Sequence, residues 1–399
     1  MAIFHLRRRE FISMLAASAA LAQQKQDEVI ATATQDATPR VGIVLSSFAG
    51  GEEHDGTKLA GLPEPKPVDA ELDDKFIDVW VRKAIELGAT RAAELRQMIE
   101  PEDWVAVKVN IAASWGADGS GAGGAKFIPG SISDLRVVRS VIRYLAEHNC
   151  GSRITLVEGS EHWQPAERTG SAADGWSTDW GGAFGGLSYR KMVQELAKEF
   201  PKIRFEILDA NFAPSVDLPA PERSGGPLYT IARILQQCDK LISIAPLKTD
   251  RRTGVALTFN NYAGFAPGAK YGFPKEALWK LGPPEQVLID LFHFHPADFA
   301  ILGGPAGIEG DGPEGPGAST VRYNLLVTGA KAVSVDAVAA ALMGYDPATI
   351  PYLRLGEELG SYGTMTVDYV WTRGDEIEKA RRPFRKPPAW KPAPPPAGT

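Results

Sequence analysis

Short apolar segments alternate with helix-forming segments along most of the chain, and this alternation restricts the fold more than any other feature of the sequence. The apolar segments have the length and β-branched content of buried strands. The predicted strands are Arg40 to Ser47, Trp104 to Val109, Ile154 to Val157, Phe205 to Leu208, Leu241 to Pro246, Phe299 to Leu302, Asn324 to Val327 and Tyr369 to Thr372. The predicted helices are Asp69 to Ile99, Ile132 to His148, Tyr189 to Phe200, Ile231 to Cys238, Pro284 to Phe292, Ala332 to Met343 and Pro347 to Leu359. Because strands separated by helices of this size form βαβ units, we predict an α/β fold: a mainly parallel sheet with helices on both faces and Gly/Pro-rich insertions.

The predicted organisation is one folded domain between segments of different composition. Residues 1–22 are assigned to a signal peptide, and the polar residues 23–39 to a linker. Residues 40–380 contain all the predicted strands and helices. Residues 381–399 are dominated by proline and by lysine or arginine, so we expect an extended, disordered tail.

The N-terminus has the features of a twin-arginine signal. The arginines at positions 7–9 precede Phe11 and Ile12, an apolar run continues to Leu21, and Ala20-Leu21-Ala22 is a small-x-small cleavage site. This pattern predicts export of the folded chain by the twin-arginine translocase, to the periplasm or outside the cell. The apolar run is too short to remain as a membrane anchor. The alternative is an ordinary amphipathic N-terminal helix.

Composition argues against a nucleic-acid partner and against an iron–sulfur cofactor. The formal net charge is -6 and no basic stripe is visible, so nucleic acid is not expected to bind. The two cysteines, Cys150 and Cys238, cannot supply the ligands of an iron–sulfur cluster, and we expect none. Two buried thiols acting as small apolar side chains are the simpler interpretation.

Polar side chains directly follow four of the predicted strands. Asn110, Glu158, Asp209 and Lys248 each come just after an apolar run. The carboxyl ends of parallel strands meet at one edge of a sheet, where open α/β sheets bind ligands, so these side chains are expected to share a site. The alternative is that each one caps a strand or starts a turn.

The segment from Lys240 to Gly264 supplies most of the candidate residues. Its polar side chains, which follow two apolar runs, are Lys248, Asp250, Arg251, Arg252, Asn260 and Asn261. Guanidinium, ammonium and carboxamide groups suit a small anionic molecule, so the arginines and asparagines, together with Asn110, are assigned to ligand binding. Lys248 is an anion anchor or, if desolvated, a base or Schiff-base nucleophile. The nearby Asp250 favours the charged anchor.

A glycine-rich segment, Gly303 to Gly317, adds Glu309 and Asp311. It lacks the Gly-Lys-Ser/Thr ending of a P-loop. Paired carboxylates favour a base or a cation, and Mg²⁺ or Ca²⁺ would use such oxygen ligands. We therefore assign Glu309, with Lys248, Asp250 and Glu158, to catalysis, and Asp311 to ligand binding. A surface Ω-loop is the alternative.

A segment rich in tryptophan and glycine, Gly159 to Gly186, follows one of the predicted strands. It contains Trp163, Trp176 and Trp180. These side chains either form a lid or stacking surface for a ligand, or pack over the sheet as a hydrophobic plug. The sequence leaves both interpretations open.

Several motifs resemble those of the DUF362 family. Val105 to Ile111 (VAVKVNI) resembles its K-x-N strand, and Pro246 to Gly264 its central segment. GIEGDGPEGPG resembles its EG-x-GP-x-x-G loop, and Ala332 to Pro347 its AVDAV…MG-x-DP helix. The resemblance runs from about Val105 to Gly374. It implies an α/β domain of undefined activity, joined in some members to ferredoxin-like iron–sulfur modules, and this chain resembles an exported member without that module.

The chain departs from the family pattern at three positions. Asp250 stands where histidine is common, Asn260 where lysine is expected, and Gly303 where aspartate is common. Two hypotheses remain. The first is an exported enzyme with proton-transfer or redox-linked chemistry on a small anion. The second is a non-catalytic ligand-binding or accessory protein for a periplasmic redox partner. The organisation resembles nickel-dependent lactate racemases more distantly, without a residue match that would extend to their cofactor.

Overall fold

Strands and helices alternate through the described part of the chain. The computed structural model describes residues 38–394, apart from residues 54–55, 91, 112–128, 161–177, 179, 181–186, 222–224 and 313–316. The predicted signal peptide, nearly all of the predicted linker and most of the tryptophan-rich segment therefore lie outside the described residues. Within the described range, none of the helices has the length and apolarity needed to cross a bilayer.

The strands and helices have the following bounds. The strands are β1 (Arg40–Leu45), β2 (Gly50–Glu52), β3 (Lys58–Ala60), β4 (Trp104–Lys108), β5 (Arg153–Glu158), β6 (Arg204–Asp209), β7 (Ser215–Pro219), β8 (Leu228–Ala232), β9 (Lys240–Ala245), β10 (Lys248–Asp250), β11 (Gly254–Ala256), β12 (Phe299–Glu309), β13 (Ser319–Gly329) and β14 (Trp371–Gly374). The helices are α1 (Asp74–Leu87), α2 (Leu135–Glu147), α3 (Tyr189–Glu199), α4 (Ile234–Gln237), α5 (Thr258–Asn261), α6 (Gly268–Tyr271), α7 (Pro284–His293), α8 (Ala332–Leu342), α9 (Pro351–Glu358) and α10 (Ile377–Ala380).

The central sheet is mostly parallel. Among the described residues its main strands follow the order β14-β1-β13-β12-β9-β4-β5-β6. All of them run in one direction except β13, which is antiparallel to β1 and β12. The β10–β11 hairpin is attached to this sheet through β12, while β2–β3 and β7–β8 form separate two-stranded ribbons. This architecture confirms the predicted α/β fold.

Both faces of the sheet are buried, because successive side chains of a strand point to opposite faces. Val105 and Val107 of β4 belong to an apolar cluster that includes side chains of α1, α2 and α3. Ala106 of β4 and Leu241 of β9 belong to a second cluster, on the face covered by α7 and α8. Strands buried on both faces are nearly continuously apolar, which is why the sequence located them well.

Several predicted boundaries are wrong where a turn or a tertiary contact competes with helical spacing. The helix predicted from Asp69 to Ile99 is α-helical only in α1, which is capped by Gly88, and a 3-10 turn follows at Leu95–Gln97. The first part of the helix predicted from Ile231 to Cys238 belongs to β8, where pairing with β7 overrides helical propensity. The last predicted helix starts as a 3-10 turn and becomes α-helical from Pro351, whose fixed φ suits a first helical position.

The first part of the glycine-rich segment is strand rather than loop. β12 continues through a bulge after Gly304 and ends at Glu309. Gly303 and Gly304 have φ angles of 102° and 143°, which residues with a side chain rarely adopt. A Cβ atom on Gly303 would lie 2.1 Å from the carbonyl oxygen of Leu325. The glycines therefore allow the bulge, and the strand carries Glu309 to its end.

The C-terminal segment packs against the domain, so the prediction of a disordered tail is wrong for residues 381–394. Phe384 and Trp390 are 3% and 7% exposed and belong to the core. The backbone N–H of Phe384 donates to the carbonyl oxygen of Met343 at 2.8 Å, and the ring of Trp390 lies edge-on to Tyr345 with the centroids 5.2 Å apart. Composition indicated disorder because proline and charge dominate, but these two aromatic side chains anchor the segment.

Candidate functional site

Four neighbouring parallel strands end at one edge of the sheet, as the sequence predicted. β9, β4, β5 and β6 are adjacent and parallel. Asn110 lies just beyond β4, and Lys248 lies shortly after β9. Glu158 and Asp209 are the last residues of β5 and β6 and are register partners. Glu158, Asp209 and Lys248 are buried, so each needs polar partners inside the protein.

A buried lysine that the sequence analysis did not single out, Lys108, lies at the centre of this edge. It is the last residue of β4, it is 0% exposed, and it is the register partner of Ser243 on β9. Its ammonium group forms a salt bridge with Glu158. It also donates to Oδ1 of Asn261 at 2.9 Å and to the carbonyl oxygen of Val109 at 2.6 Å. These contacts satisfy the hydrogen-bonding capacity of the buried charge.

Hydrogen bonds through two carboxamides connect Lys108 with Lys248. Oδ1 of Asn261, which accepts from Lys108, also accepts from Nδ2 of Asn110 at 3.4 Å. Oδ1 of Asn110 accepts from Nζ of Lys248 at 2.6 Å. Lys248 also donates to the carbonyl oxygen of Ser131 at 3.2 Å. We call the set Lys108, Glu158, Asn261, Asn110 and Lys248 the lysine network.

The turn that follows α5 lies directly over the salt bridge because it carries a glycine there. A Cβ atom on Gly264 would lie 2.6 Å from Nζ of Lys108 and 2.9 Å from Oε1 of Glu158. The ring of Phe265 adds a cation–π contact, with its centroid 5.6 Å from Nζ of Lys108. Backbone and ring thus cover the salt bridge and shield it from solvent.

Burial changes the acid–base properties of Lys108. Removal from water disfavours the charged ammonium, while the carboxylate of Glu158 favours it. Burial is the larger effect, so the pKa of Lys108 lies below its ordinary value of 10.5. A lysine with a lowered pKa is better matched to proton transfer near neutral pH than an exposed one.

The other predicted residues of the central segment hold the β10–β11 hairpin together. Asp250 accepts hydrogen bonds from the backbone N–H groups of Arg252 and Thr253, at 2.8 and 2.9 Å. Arg252 forms a salt bridge with Glu276 at 3.0 Å. Nδ2 of Asn260 donates to Oγ1 of Thr253 at 2.9 Å. Each of these side chains therefore has a structural contact in the hairpin or next to it.

The carboxylates of the glycine-rich segment contact the C-terminal segment and the hairpin. Glu309 accepts from the backbone N–H of Arg385 at 2.9 Å and from Oγ of Ser319 at 3.2 Å. Asp311 lies 3.7 Å from Nε of Arg251. Among the residues that the structure describes, no group of three or more His, Cys, Asp or Glu side chains is arranged to hold a metal ion.

The structure thus divides the predicted site residues into two groups. Asn110, Glu158, Lys248 and Asn261 meet in the lysine network. Asp209, which was expected to share their site, instead accepts hydrogen bonds from the backbone N–H groups of Thr178 and Asn211, at 2.9 and 3.0 Å. The remaining predicted residues, which stabilise the hairpin, the glycine-rich segment and the C-terminal segment, are Asp250, Arg251, Arg252, Asn260, Glu309 and Asp311.

A common signal marks three residues that the sequence analysis left without a role in the site, although the K-x-N and AVDAV motifs contain Lys108 and Asp336. Lys108, Ser243 and Asp336 each interrupt a mostly apolar strand or helix at a buried position. Ser243 accepts a hydrogen bond from Nδ2 of Asn261 at 3.0 Å. A polar residue on the buried side of an apolar element must have a partner there, and that expectation could have identified all three.

A cavity of about 280 Å³ adjoins the lysine network. Gly130 and Ile132 form part of its wall, and Ser131 between them accepts a hydrogen bond from Lys248. Arg136 and Arg322 also line the cavity. The residues on either side of Ser131 thus bring the cavity wall next to the network, and the lining contains two arginines together with two carboxylates, Glu71 and Asp134.

The fold and the site define an α/β protein with a buried polar network at the carboxyl edge of a mostly parallel sheet. Residues 105–341 match the model of the family described as a domain of unknown function, DUF362. Because the match covers more than half of the 399 residues, the chain belongs to the DUF362 family. The matched range contains the whole lysine network and ends before the C-terminal segment. The comparison with curated proteins gives no match.

Proposed function

We propose that this chain binds a small anionic ligand, a carboxylate or a phosphate, at the carboxyl edge of the sheet and acts on it as a proton-transfer enzyme. Lys248 and Asn110 hold the anion, and the Lys108–Glu158 pair takes up or releases the proton. The alternative form of this proposal is redox-linked chemistry on the same ligand. On the strength of the N-terminal arginines, we place the activity in the periplasm or outside the cell.

The observation that carries this proposal is the pair of buried ammonium groups joined through carboxamides at one sheet edge. Lys108 and Lys248 are 0% and 3% exposed. Burying one such charge costs several kcal/mol even after the protein relaxes, so two buried ammonium groups at one site lower the stability of the fold considerably. An anion that replaces the neutral oxygen of Asn110 at Lys248 gains a charge-assisted hydrogen bond, about twice as strong as a neutral one.

The Lys108–Glu158 pair is suited to hold and move a proton. A shift of the proton from the ammonium to the carboxylate converts an ion pair into two neutral groups, so the net charge of the buried site does not change. The lowered pKa of Lys108 reduces the free-energy cost of that shift. Asn261 contacts both Lys108 and Asn110, and therefore links the pair to the side chain that faces the anion.

The binding part of the proposal is tested by titrating the purified mature chain with oxalate, malonate, lactate and phosphate. Each titration is run with and without Mg²⁺ or Ca²⁺ and followed by calorimetry and thermal shift. A ligand at 100 times its Kd should stabilise the chain by about 2.7 kcal/mol. Lys248→Gln should abolish the stabilisation. Lys240→Gln is the matched control, because Lys240 lies at the opposite end of β9, where it pairs with Asp298 at 3.6 Å. If Lys248→Gln binds like the wild type, the ligand site is elsewhere.

The catalytic part is tested in D₂O with lactate and malonate, the two titrated ligands that carry hydrogen on the carbon next to a carboxylate. An enzyme of the proposed kind incorporates deuterium at the carbon next to the carboxylate, and NMR detects it. Lys108→Met and Glu158→Gln should lose incorporation while Lys240→Gln retains it. Incorporation that persists in both network variants would rule out the pair as the proton-transfer group.

A second candidate function is non-catalytic ligand binding, as an accessory protein for a redox partner. The contacts of Asp250 and Glu309 favour it, because these predicted acid–base residues are hydrogen bonded to backbone N–H groups. Under this alternative the wild type binds an anion in the titrations, but no deuterium enters any bound ligand.

A further inference from the structure

A fully buried carboxyl group, Asp336 of α8, lies behind the turn that carries Asn261. It is 0% exposed, in a helix whose only other polar side chain is Ser334. Its Oδ1 accepts from the backbone N–H of Thr258 at 3.1 Å, and its Oδ2 accepts from that of Phe259 at 3.4 Å. The hydroxyl of Tyr352 also donates to Oδ2, at 3.1 Å. The carboxyl group therefore holds the first two N–H groups of α5.

The helix α5 is a single turn, so fixing its start also fixes its end. The N–H of Asn261 donates to the carbonyl oxygen of Leu257 at 3.1 Å, which closes the turn. Asn261 is its last residue and accepts from Lys108 at 2.9 Å. We propose that Asp336 is a positioning residue that holds the turn Thr258–Asn261 so that the carboxamide of Asn261 meets Lys108. The use of this contact for ligand turnover rests on the proposed function, whereas the contact itself does not.

The ionisation of Asp336 makes this positioning sensitive to pH. Burial raises the pKa of Asp336 to about 7, against the hydrogen bonds from Thr258, Phe259 and Tyr352, which lower it. The ionised carboxylate is the stronger acceptor for N–H groups, so protonation below neutral pH weakens the hold on the turn. Tyr352 of α9 is the titratable group bonded to Asp336, and Asp250 of β10 also acts on Tyr352. Burial, followed by these carboxylates, raises the pKa of Tyr352 well above 10, so the phenol stays protonated.

The test uses the side-chain amide of Asn261 in the ligand-free chain. The chain has six asparagines, so ¹⁵N-asparagine labelling gives a small set of side-chain amide signals, and Asn261→Asp identifies its own signal by loss. In the wild type, the Asn261 signal should shift with an inflection near neutral pH. Asp336→Asn should lose that inflection. Asp290→Asn is the matched control: Asp290 is 1% exposed and accepts from the hydroxyl of Tyr229 at 2.8 Å, so this variant should keep the inflection.

A second variant keeps the test decisive if Asp336→Asn does not fold. Tyr352→Phe removes one hydrogen bond that lowers the pKa of Asp336, so the inflection should move to higher pH. The inference is overturned if the wild-type signal has no inflection near neutral pH, if Asp336→Asn keeps it, or if Tyr352→Phe leaves it in place. Because no ligand is present, these outcomes are independent of whether the chain binds an anion.

Discussion

Lys108→Met probes the buried salt bridge with Glu158 most directly. The change leaves the carboxylate of Glu158, whose side chain is 5% exposed, buried without its cation. Breaking a buried ion pair by removing one partner costs about 3–5 kcal/mol. Because the side chain of Lys108 is 0% exposed, solvent cannot screen the ion pair. The expected loss in the free energy of unfolding is therefore the full value of about 3–5 kcal/mol. Glu158→Gln should also destabilise the fold, since it leaves the ammonium group buried without a counter-charge.

The double variant Lys108→Met with Glu158→Gln separates this electrostatic effect from lost packing. No charge of the pair remains buried, so the cost should be about 2–3 kcal/mol smaller than the sum of the single costs. Urea unfolding followed by circular dichroism measures each free energy of unfolding. Arg143→Met serves as the exposed control: its salt bridge with Glu199 has side chains 36% and 42% exposed, and its loss should cost about 1 kcal/mol or less. The buried ion pair is refuted if the single variants lower the free energy of unfolding no more than Arg143→Met does. It is also refuted if the costs of the two single changes add up exactly in the double variant.

Three further predictions concern parts of the chain outside the lysine network. Trp390→Ala should lower the free energy of unfolding by about 3–5 kcal/mol in a urea titration, because the ring is buried in the core; an unchanged midpoint would mean that the C-terminal segment is not anchored. Replacing Arg8 and Arg9 by lysine should keep the chain in the cytoplasm, which fractionation and immunoblotting would show; normal export would contradict the twin-arginine assignment. Burial raises the pKa of Asp375 from 3.8 to about 6, so the stability contributed by this group should fall as pH rises through that interval. Asp375→Asn should flatten that part of the pH–stability profile, which thermal unfolding measures.

The sequence located the sheet because the evidence for each strand is local. Continuous apolar runs identified β4, β5, β9 and β12, and their separation by helices implied parallel pairing. Parallel pairing in turn placed Asn110, Glu158 and Lys248 at one edge, where the structure also has them. Composition gave the wrong prediction for the C-terminal segment, because it does not show that two aromatic side chains find a complementary surface on the domain.

The chain's local patterns by themselves determined the fold class and the direction of most strands, since side-chain periodicity and segment length are properties of neighbouring residues. Only the tertiary structure decided which polar groups meet. Lys108 reaches Glu158 across 50 positions and Asn261 across 153, and no local pattern encodes such pairings. The same physics assigned Asp250 and Glu309 to structural hydrogen bonds, because a polar group takes the nearest partner that the packed chain brings to it.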